Sequence, residues 1–324
     1  MTGNYYIMSN GILKRKENTI YFINKEVKRA LPLTQIKTIF LFGNVTVSSQ
    51  AVKFLAMNHI PIHIFNKYGF YVGTYYPREK YLSGRLLVKQ AEHYLDGEKR
   101  LYLAKEFVKG AALNIVQNCY RFKIHEETEE INKLVEELKT AEKITEVMNI
   151  EARIREEYYK GIDKVMPEEF KFVKRTRQPP KNRLNALISL GNSILYTTVL
   201  SEIYLTQLNP TISYLHEPFE RRFSLSLDLA EIFKPIIVDR LIFALVRQRI
   251  IQAKHFDLDL NSCLLSKEGK RIFVSHYDKK LKTTIKHKKL GRSVSYRRLI
   301  RLEAYKLIKH LLGIKRYKSF VAWW

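Results

Sequence analysis

The sequence contains little cysteine and little tryptophan, with two residues of each among 324. Two cysteines, Cys119 and Cys263, exclude a disulfide framework and are predicted to be buried thiols. The sequence has no run of about 18 consecutive apolar residues, so no membrane span is expected. Residues 1–11 lack the apolar segment of a signal peptide, which predicts a cytoplasmic protein.

Acidic residues are scarce relative to basic ones, with 32 Asp and Glu against 57 Lys and Arg and a net charge of +25. Such an excess favours a phosphate-rich polymer such as DNA, with membrane surfaces and acidic proteins as competing partners. The charge is uneven. Residues 126–169 carry a net charge of −7, which predicts a solvated helical hairpin, and residues 267–318 carry +15, which predicts an anion contact.

The pattern of apolar residues changes along the chain. Residues 1–80 alternate in short runs, which predicts strands around one helix, with a hairpin turn at Asn10-Gly11. Residues 81–95 are expected to be a hinge or linker. Residues 96–324 show helical spacing and are expected to form a larger all-α domain. The fold class predicted is therefore α+β with two domains, with a kink or break at Pro235 in the helical part.

Two carboxylates in the helical part are notable because their neighbours are apolar. Asp228 and Glu231 are three residues apart, so they share one face of a helix. Buried carboxylates must be paired, protonated or bound to a metal, since isolated buried charge is costly. Ion pairing with Lys234, Arg221 or Arg222 is the structural alternative to a metal site.

His216 lies in a turn before Pro218 and 12 residues before Asp228, close enough to fold back onto the carboxylates. One histidine with several carboxylates suits a hard or borderline cation, Mg²⁺ or Mn²⁺, better than zinc. A histidine in a turn is also often an ordinary surface residue.

The segment from Leu184 to Phe243 resembles the core of the CRISPR-associated Cas1 family, the integrase-endonuclease of the adaptation module. The resemblance rests on Asn185 with the apolar helix after it, the turn that contains His216, the helix with Asp228 and Glu231, and Val238-Asp239-Arg240. Residues 48–73 are also similar to the family, so that the likeness covers nearly the whole chain.

The resemblance implies an N-terminal β-sandwich-like domain, a helical catalytic domain and a homodimer formed through residues 1–80. It implies a one-metal site with Glu151, His216 and Glu231 as ligands and Asp228 beside the metal. Glu231 stands where many relatives have Asp. The implied activity is insertion of spacer DNA into a CRISPR repeat by attack of a DNA 3′-hydroxyl, with DNA cleavage by the same site. A small Cas2 dimer is the expected bridge between two copies.

The basic residues near the turn are predicted to contact DNA, and those in the last part of the chain are predicted either to contact the DNA backbone or to remain a mobile arm until DNA binds. Arg221 and Arg222 are candidates to clamp a phosphate. The candidates for backbone contact are Lys282, Lys286, His287, Lys288, Lys289, Arg292, Arg297, Arg298 and Arg301. Two alternatives to an integrase remain open, namely a nuclease for branched DNA without integration and a non-catalytic nucleic-acid-binding scaffold.

Three other motifs are interpreted as structural. His255, Asp257 and Asp259 resemble the start of a calcium loop but lack its glycine and last glutamate, so a polar turn is expected. His59 and His63 are predicted to be a solvent-facing pair on a strand. The tryptophans at 323 and 324 are expected either to dock on a neighbour or to be exposed.

Overall fold

The computed structural model describes residues 3–171, 174–218, 222–288 and 290–324. Its N-terminal part holds two facing sheets and one helix. The strands are β1 (Gly3–Ile7), β2 (Gly11–Lys16), β3 (Thr19–Ile23), β4 (Lys28–Leu31), β5 (Ile36–Leu41), β6 (Val45–Val47), β7 (Ile62–Phe65) and β8 (Tyr71–Tyr75). Helix α1 (Ser49–Met57) lies between β6 and β7, and the Ser48 side chain caps it by accepting from the N–H of Ala51.

One sheet has the strand order β1-β5-β7-β8 and the other has the order β4-β3-β2-β6. Leu13 and Ile20 from the second sheet pack with Ile39 and Ile62 from the first in one buried core, which confirms the sandwich-like arrangement. The hairpin predicted at Asn10-Gly11 is wrong. The chain crosses there from β1, which pairs in parallel with β5, to β2 in the other sheet.

The rest of the chain is mainly helical. The helices are α2 (Gly84–Leu95), α3 (Gly97–Phe122), α4 (Glu126–Thr140), α5 (Ile144–Val165), α6 (Arg183–Tyr204), α7 (Ser224–Phe233), α8 (Arg240–Arg247), α9 (Lys267–Lys282) and α10 (Tyr296–Leu311). Most of the expected linker is therefore helix α2, which is capped by Ser83 and buries Leu86 and Gln90. The acidic segment forms the hairpin of α4 and α5, as expected.

The helical part also contains strands, which corrects the all-α expectation. Strands β9 (Phe256–Asp259) and β10 (Ser262–Leu265) form one antiparallel pair, so Asp257 and Asp259 lie on a strand and not in a polar turn. Strands β11 (Thr284–Lys286) and β12 (Ser293–Ser295) form the other. At Pro235 the expected irregularity is a π-helical turn, Lys234–Asp239, between α7 and α8.

Helix α6 is the centre of the larger core. By length and apolar composition alone it would be long enough to cross a membrane, but 89% of its most apolar window is buried within the protein. It also closes the sandwich. His63 on β7 is fully buried, and its Nε2 lies 2.8 Å from Ser201 Oγ on α6 while its Nδ1 lies 2.8 Å from Thr74 Oγ1. The prediction of a solvent-facing His59 and His63 pair is therefore wrong, because α6 covers that face of the sheet.

Candidate functional site

The turn before α7 is built around the carboxylate of Asp228. This side chain is fully buried and accepts hydrogen bonds from the backbone N–H groups of Tyr214, Leu215 and His216 at 2.7, 3.0 and 3.1 Å. The same carboxylate lies 2.8 Å from Nδ1 of the His216 imidazole. By accepting these hydrogen bonds, the Asp228 carboxylate fixes the backbone of the turn. Asp228 therefore orients His216.

This contact also decides which imidazole atom remains available. A carboxylate only accepts, so Nδ1 carries the proton of the shared hydrogen bond and the neutral ring presents the lone pair of Nε2. A metal-binding histidine in proteins is commonly oriented in this way by a carboxylate on its second nitrogen. Burial lowers the pKa of His216, but the hydrogen bond and charge of Asp228, with the charge of Glu231, outweigh burial and raise it.

Glu231 lies one helical turn after Asp228 and is almost completely buried. One of its carboxylate oxygens is paired with the ammonium of Lys234 and the other with the guanidinium of Arg155 on α5. Burial alone would raise the pKa of Glu231, but Lys234, Arg155 and His216 together lower it, so the carboxylate is held ionised. Burial lowers the pKa of Lys234, and Arg155 adds to that effect.

Arg155 joins Glu231 to the fourth predicted residue. Its Nε lies 3.0 Å from Oε1 of Glu151, which is one helical turn earlier on α5, while its Nη2 contacts Glu231. Glu151 and Glu231 are thus 80 positions apart in sequence and held by one guanidinium. The structure brings Glu151, His216, Asp228 and Glu231 to one place between α5 and α7.

A third buried acid lies near this site. Asp239, at the end of the π-helical turn, is 4% exposed, and burial raises its pKa to about 6 despite the charges of Arg155 and Lys234. One of its carboxylate oxygens, Oδ2, has no hydrogen-bond partner among the described residues. Asp239 and Arg155 were not singled out as site residues by sequence. The signal for Arg155 was its position four residues after Glu151 on a helix, the spacing of a favourable ion pair.

The predicted DNA contacts divide into three groups. Arg221 and Lys289 lie outside the described residues. Arg222, Lys286, Lys288, Arg292 and Arg298 are exposed, whereas Lys282 pairs with Asp278 at 2.6 Å. Arg297 and Arg301 both pair with the buried Glu202 at 2.7 Å, so their guanidinium groups already bind a carboxylate within the fold, and a DNA contact by them stays a prediction.

The side chains of this site have the chemistry of divalent-metal ligands, although they are paired with cations. Among the residues that the structure describes, no three His, Cys, Asp or Glu side chains are grouped closely enough to hold a metal ion as they stand. Arg155 and Lys234 hold the oxygens that a metal would need, so the ion-pair alternative with Lys234 is found in the structure. The donor types still fit a divalent cation, because carboxylate oxygens and the free Nε2 of an imidazole are ligands that Mg²⁺ or Mn²⁺ accepts, and Arg155 holds the two glutamates near each other.

Comparison with known proteins identifies the family. The model of the family described as CRISPR associated protein Cas1 matches residues 5–279 of this chain. The chain belongs to the Cas1 family. A CRISPR-associated protein Cas1 of Methanobrevibacter ruminantium is 58% identical over 99% of both chains. A CRISPR-associated endonuclease Cas1 of Methanothermobacter thermautotrophicus is 56% identical over 99% of this chain and 95% of its own length.

Solved structures of Cas1 proteins and their relatives share the fold. A Cas1 protein from Thermotoga maritima is 44% identical, with a TM-score of 0.92 over 98% of this chain and 99% of that chain. Two more distant structures show the fold alone. One is a casposase bound to integration product, which is 20% identical with a TM-score of 0.86 and covers 98% of this chain and 93% of that chain. The other is a Cas6-RT-Cas1–Cas2 complex, which is 18% identical with a TM-score of 0.85 and covers 98% of this chain and 36% of that chain. Membership of the Cas1 family makes the chain a relative of named endonucleases.

Proposed function

We propose that this Cas1-family protein is a divalent-metal-dependent DNA endonuclease and integrase that inserts spacer DNA into a CRISPR array. The observation that carries the proposal is the pairing of the buried Asp228 with the half-buried His216, one helical turn from Glu231, with Arg155 linking Glu231 to Glu151. Acidic side chains and an oriented imidazole in a strongly basic protein suit chemistry on a phosphodiester.

The residues that would hold Mg²⁺ or Mn²⁺ are Glu151, His216 and Glu231. When bound, such a cation polarises a phosphoryl oxygen and lowers the pKa of a coordinated water or hydroxyl. Asp228 orients the imidazole and keeps Nε2 directed away from itself. Lys234 and Arg155 keep Glu231 ionised and add positive charge where a phosphate would approach. The exposed Arg222 follows the His216 turn in sequence and is proposed to contact the same phosphate.

Cutting and joining differ only in the nucleophile. In cutting, a water oxygen forms a bond to phosphorus. In joining, the oxygen of a DNA 3′-hydroxyl forms that bond. In both reactions one phosphorus–oxygen bond of the target strand breaks, and the attacking group releases a proton. The casposase that shares this fold was solved bound to integration product, and that complex supports the joining reaction here.

The proposed partners are DNA, as spacer precursor and as CRISPR repeat, a second copy of this chain and a Cas2 dimer. A Cas6-RT-Cas1–Cas2 complex with the same fold supports the Cas2 proposal. The homodimer is proposed to form through residues 1–80. A cytoplasmic location is proposed with these partners, because the array and its precursors are DNA.

His216→Ala tests the proposal against its alternatives. Cleavage of branched DNA and strand transfer to a CRISPR repeat should both collapse, while duplex binding should change little. His276→Ala is the matched control, because His276 lies on α9 with its Nδ1 bonded only to the backbone of its own helix. Strand transfer that survives in His216→Ala would show that the site is wrong. Cleavage without any strand transfer in the unmodified protein would make it a branched-DNA nuclease, and no catalysis at all would make it a scaffold.

A further inference from the structure

The basic segment from the end of α9 into α10, residues 279–302, contains ten Lys and Arg residues and no acidic residue. Some of this charge is neutralised within the fold, since Lys282 pairs with Asp278 and two arginines of α10 pair with Glu202. Lys286, Lys288 and Arg292 belong to the hairpin of β11 and β12 and are exposed, and within the described residues no carboxylate pairs with them. The hairpin therefore presents free positive charge to solvent.

The two tryptophans of the chain pack against this hairpin. The indole N–H of Trp324 donates to the hydroxyl of Tyr296 at 2.9 Å, and this hydrogen bond anchors residues 323–324 to the start of α10. The ring of Trp323 lies 5.8 Å from the imidazole of His287, the residue directly after β11. Both tryptophans are half-buried against the main core. Trp323 is therefore held at the base of the basic hairpin.

The contacts of the partly exposed Trp323 ring are one cation and three tilted or edge-on rings. The ammonium of Lys288 lies 5.4 Å from the ring centroid, and Lys288 is an exposed side chain that can move aside. The neighbouring rings of His287, Phe320 and Trp324 meet Trp323 at 85°, 63° and 82°. Among the described residues, no ring therefore stacks parallel on the Trp323 indole.

Aromatic rings connect Trp323 to α7, the helix that carries Glu231. The ring of Phe320 lies 5.8 Å from Trp323 and 6.0 Å from Phe233, with which it is stacked. Phe233 is two residues after Glu231 on α7. One buried aromatic ring, Phe320, thus lies between Trp323 and the end of α7, the helix that carries the proposed metal ligand Glu231.

We propose that Trp323, with Lys286, Lys288 and Arg292, forms a binding site for single-stranded DNA, in which an unpaired base stacks on the indole and the adjacent phosphates contact the three cations. Stacking needs an unpaired base, and aromatic rings beside a positive surface are the usual features of single-strand sites. The absence of acidic residues from 279 to 302 favours a polyanion over a protein partner. The inference rests on the proposed function, since it assigns where that substrate's single-stranded portion binds.

Tryptophan fluorescence tests this directly, because the sequence contains no tryptophan besides 323 and 324. The variant Trp324→Phe leaves Trp323 as the only tryptophan fluorophore. Oligothymidine should quench its fluorescence with the same midpoint as binding measured by anisotropy of a labelled oligonucleotide. Trp323→Leu should weaken that binding about 5- to 100-fold, the range for loss of one base–aromatic stack, and Trp323→Phe should restore most of it. Lys288→Gln should lower the salt slope of binding by about one.

Several results would overturn the inference. One is binding of oligothymidine without quenching in Trp324→Phe, and another is equal affinity in Trp323→Leu and the unmodified protein. If circular dichroism shows that Trp323→Leu does not fold, the unmodified protein can instead be photocrosslinked to an iodouracil-substituted oligonucleotide. We expect the crosslink on residue 323, and a crosslink at another position would refute the site. Failure of the proposed function is separate, since His216→Ala should abolish cutting and joining but leave the quenching unchanged.

Discussion

Replacing Glu231 with glutamine should destabilise the protein strongly, because this carboxylate is the shared partner of two buried cations. The side chains of Glu231, Arg155 and Lys234 are 5%, 13% and 17% exposed. Removing one member of a buried ion pair leaves an uncompensated buried charge, which costs roughly 3–5 kcal/mol. The free energy of unfolding should fall by about that amount when it is measured by urea denaturation in the presence of a chelator.

Glu137→Gln is the matched control for this measurement. Glu137 pairs with Arg153 at 2.7 Å on the hairpin of α4 and α5, but both side chains are 45% exposed. An exposed pair of this kind contributes about 0–1 kcal/mol. A loss in Glu231→Gln no larger than the loss in Glu137→Gln would refute the role of Glu231 as the central counter-ion of the site.

Three further predictions follow from the same contacts. Lys234→Gln should tighten Mn²⁺ binding several-fold, because the ammonium of Lys234 competes with the metal for a Glu231 oxygen. Electron paramagnetic resonance of free Mn²⁺ measures this affinity. Weaker binding in the variant would show that Lys234 helps to hold the metal site together and does not compete with the metal. The raised pKa of His216 means that its pairing with Asp228 stabilises the fold fully below the ordinary pKa of about 6.5 and loses that contribution as the pH rises through the raised value. Asp228→Asn should remove this pH dependence from urea denaturation curves, and an unchanged profile would contradict the pairing. Duplex affinity should fall about 10³–10⁵-fold between roughly 50 and 200 mM salt if about 6–10 phosphates are neutralised, and a shallow slope in an anisotropy titration would contradict the basic surface.

The sequence predicted those features of the site that depend on the spacing of neighbouring residues. Asp228 and Glu231 lie on one helix face because they are three residues apart, and the buried surroundings follow from their apolar neighbours. The Ser48 cap and the irregular turn at Pro235 follow from equally local rules. The resemblance to the Cas1 family supplied Glu151, which local sequence did not distinguish from other acids of its helix.

The features that sequence did not predict depend on long-range contacts. His63 alternates with its strand neighbours as a surface residue would, but Ser201, 138 residues later, covers it. Asn10-Gly11 is a good hairpin-turn signal, yet the strands before and after it, β1 and β2, belong to different sheets. Arg155 meets Glu231 across 76 residues, so its role as a bridge was not readable from its own helix.

The most direct test of the proposed metal site is a crystal of this protein soaked in Mn²⁺ and measured for anomalous scattering. We expect one peak in contact with Nε2 of His216 and with carboxylate oxygens of Glu151 and Glu231, with Arg155 and Lys234 displaced from those oxygens. A peak at another set of side chains, or a saturating soak that leaves Arg155 bridging the two glutamates with no peak beside His216, would contradict the site.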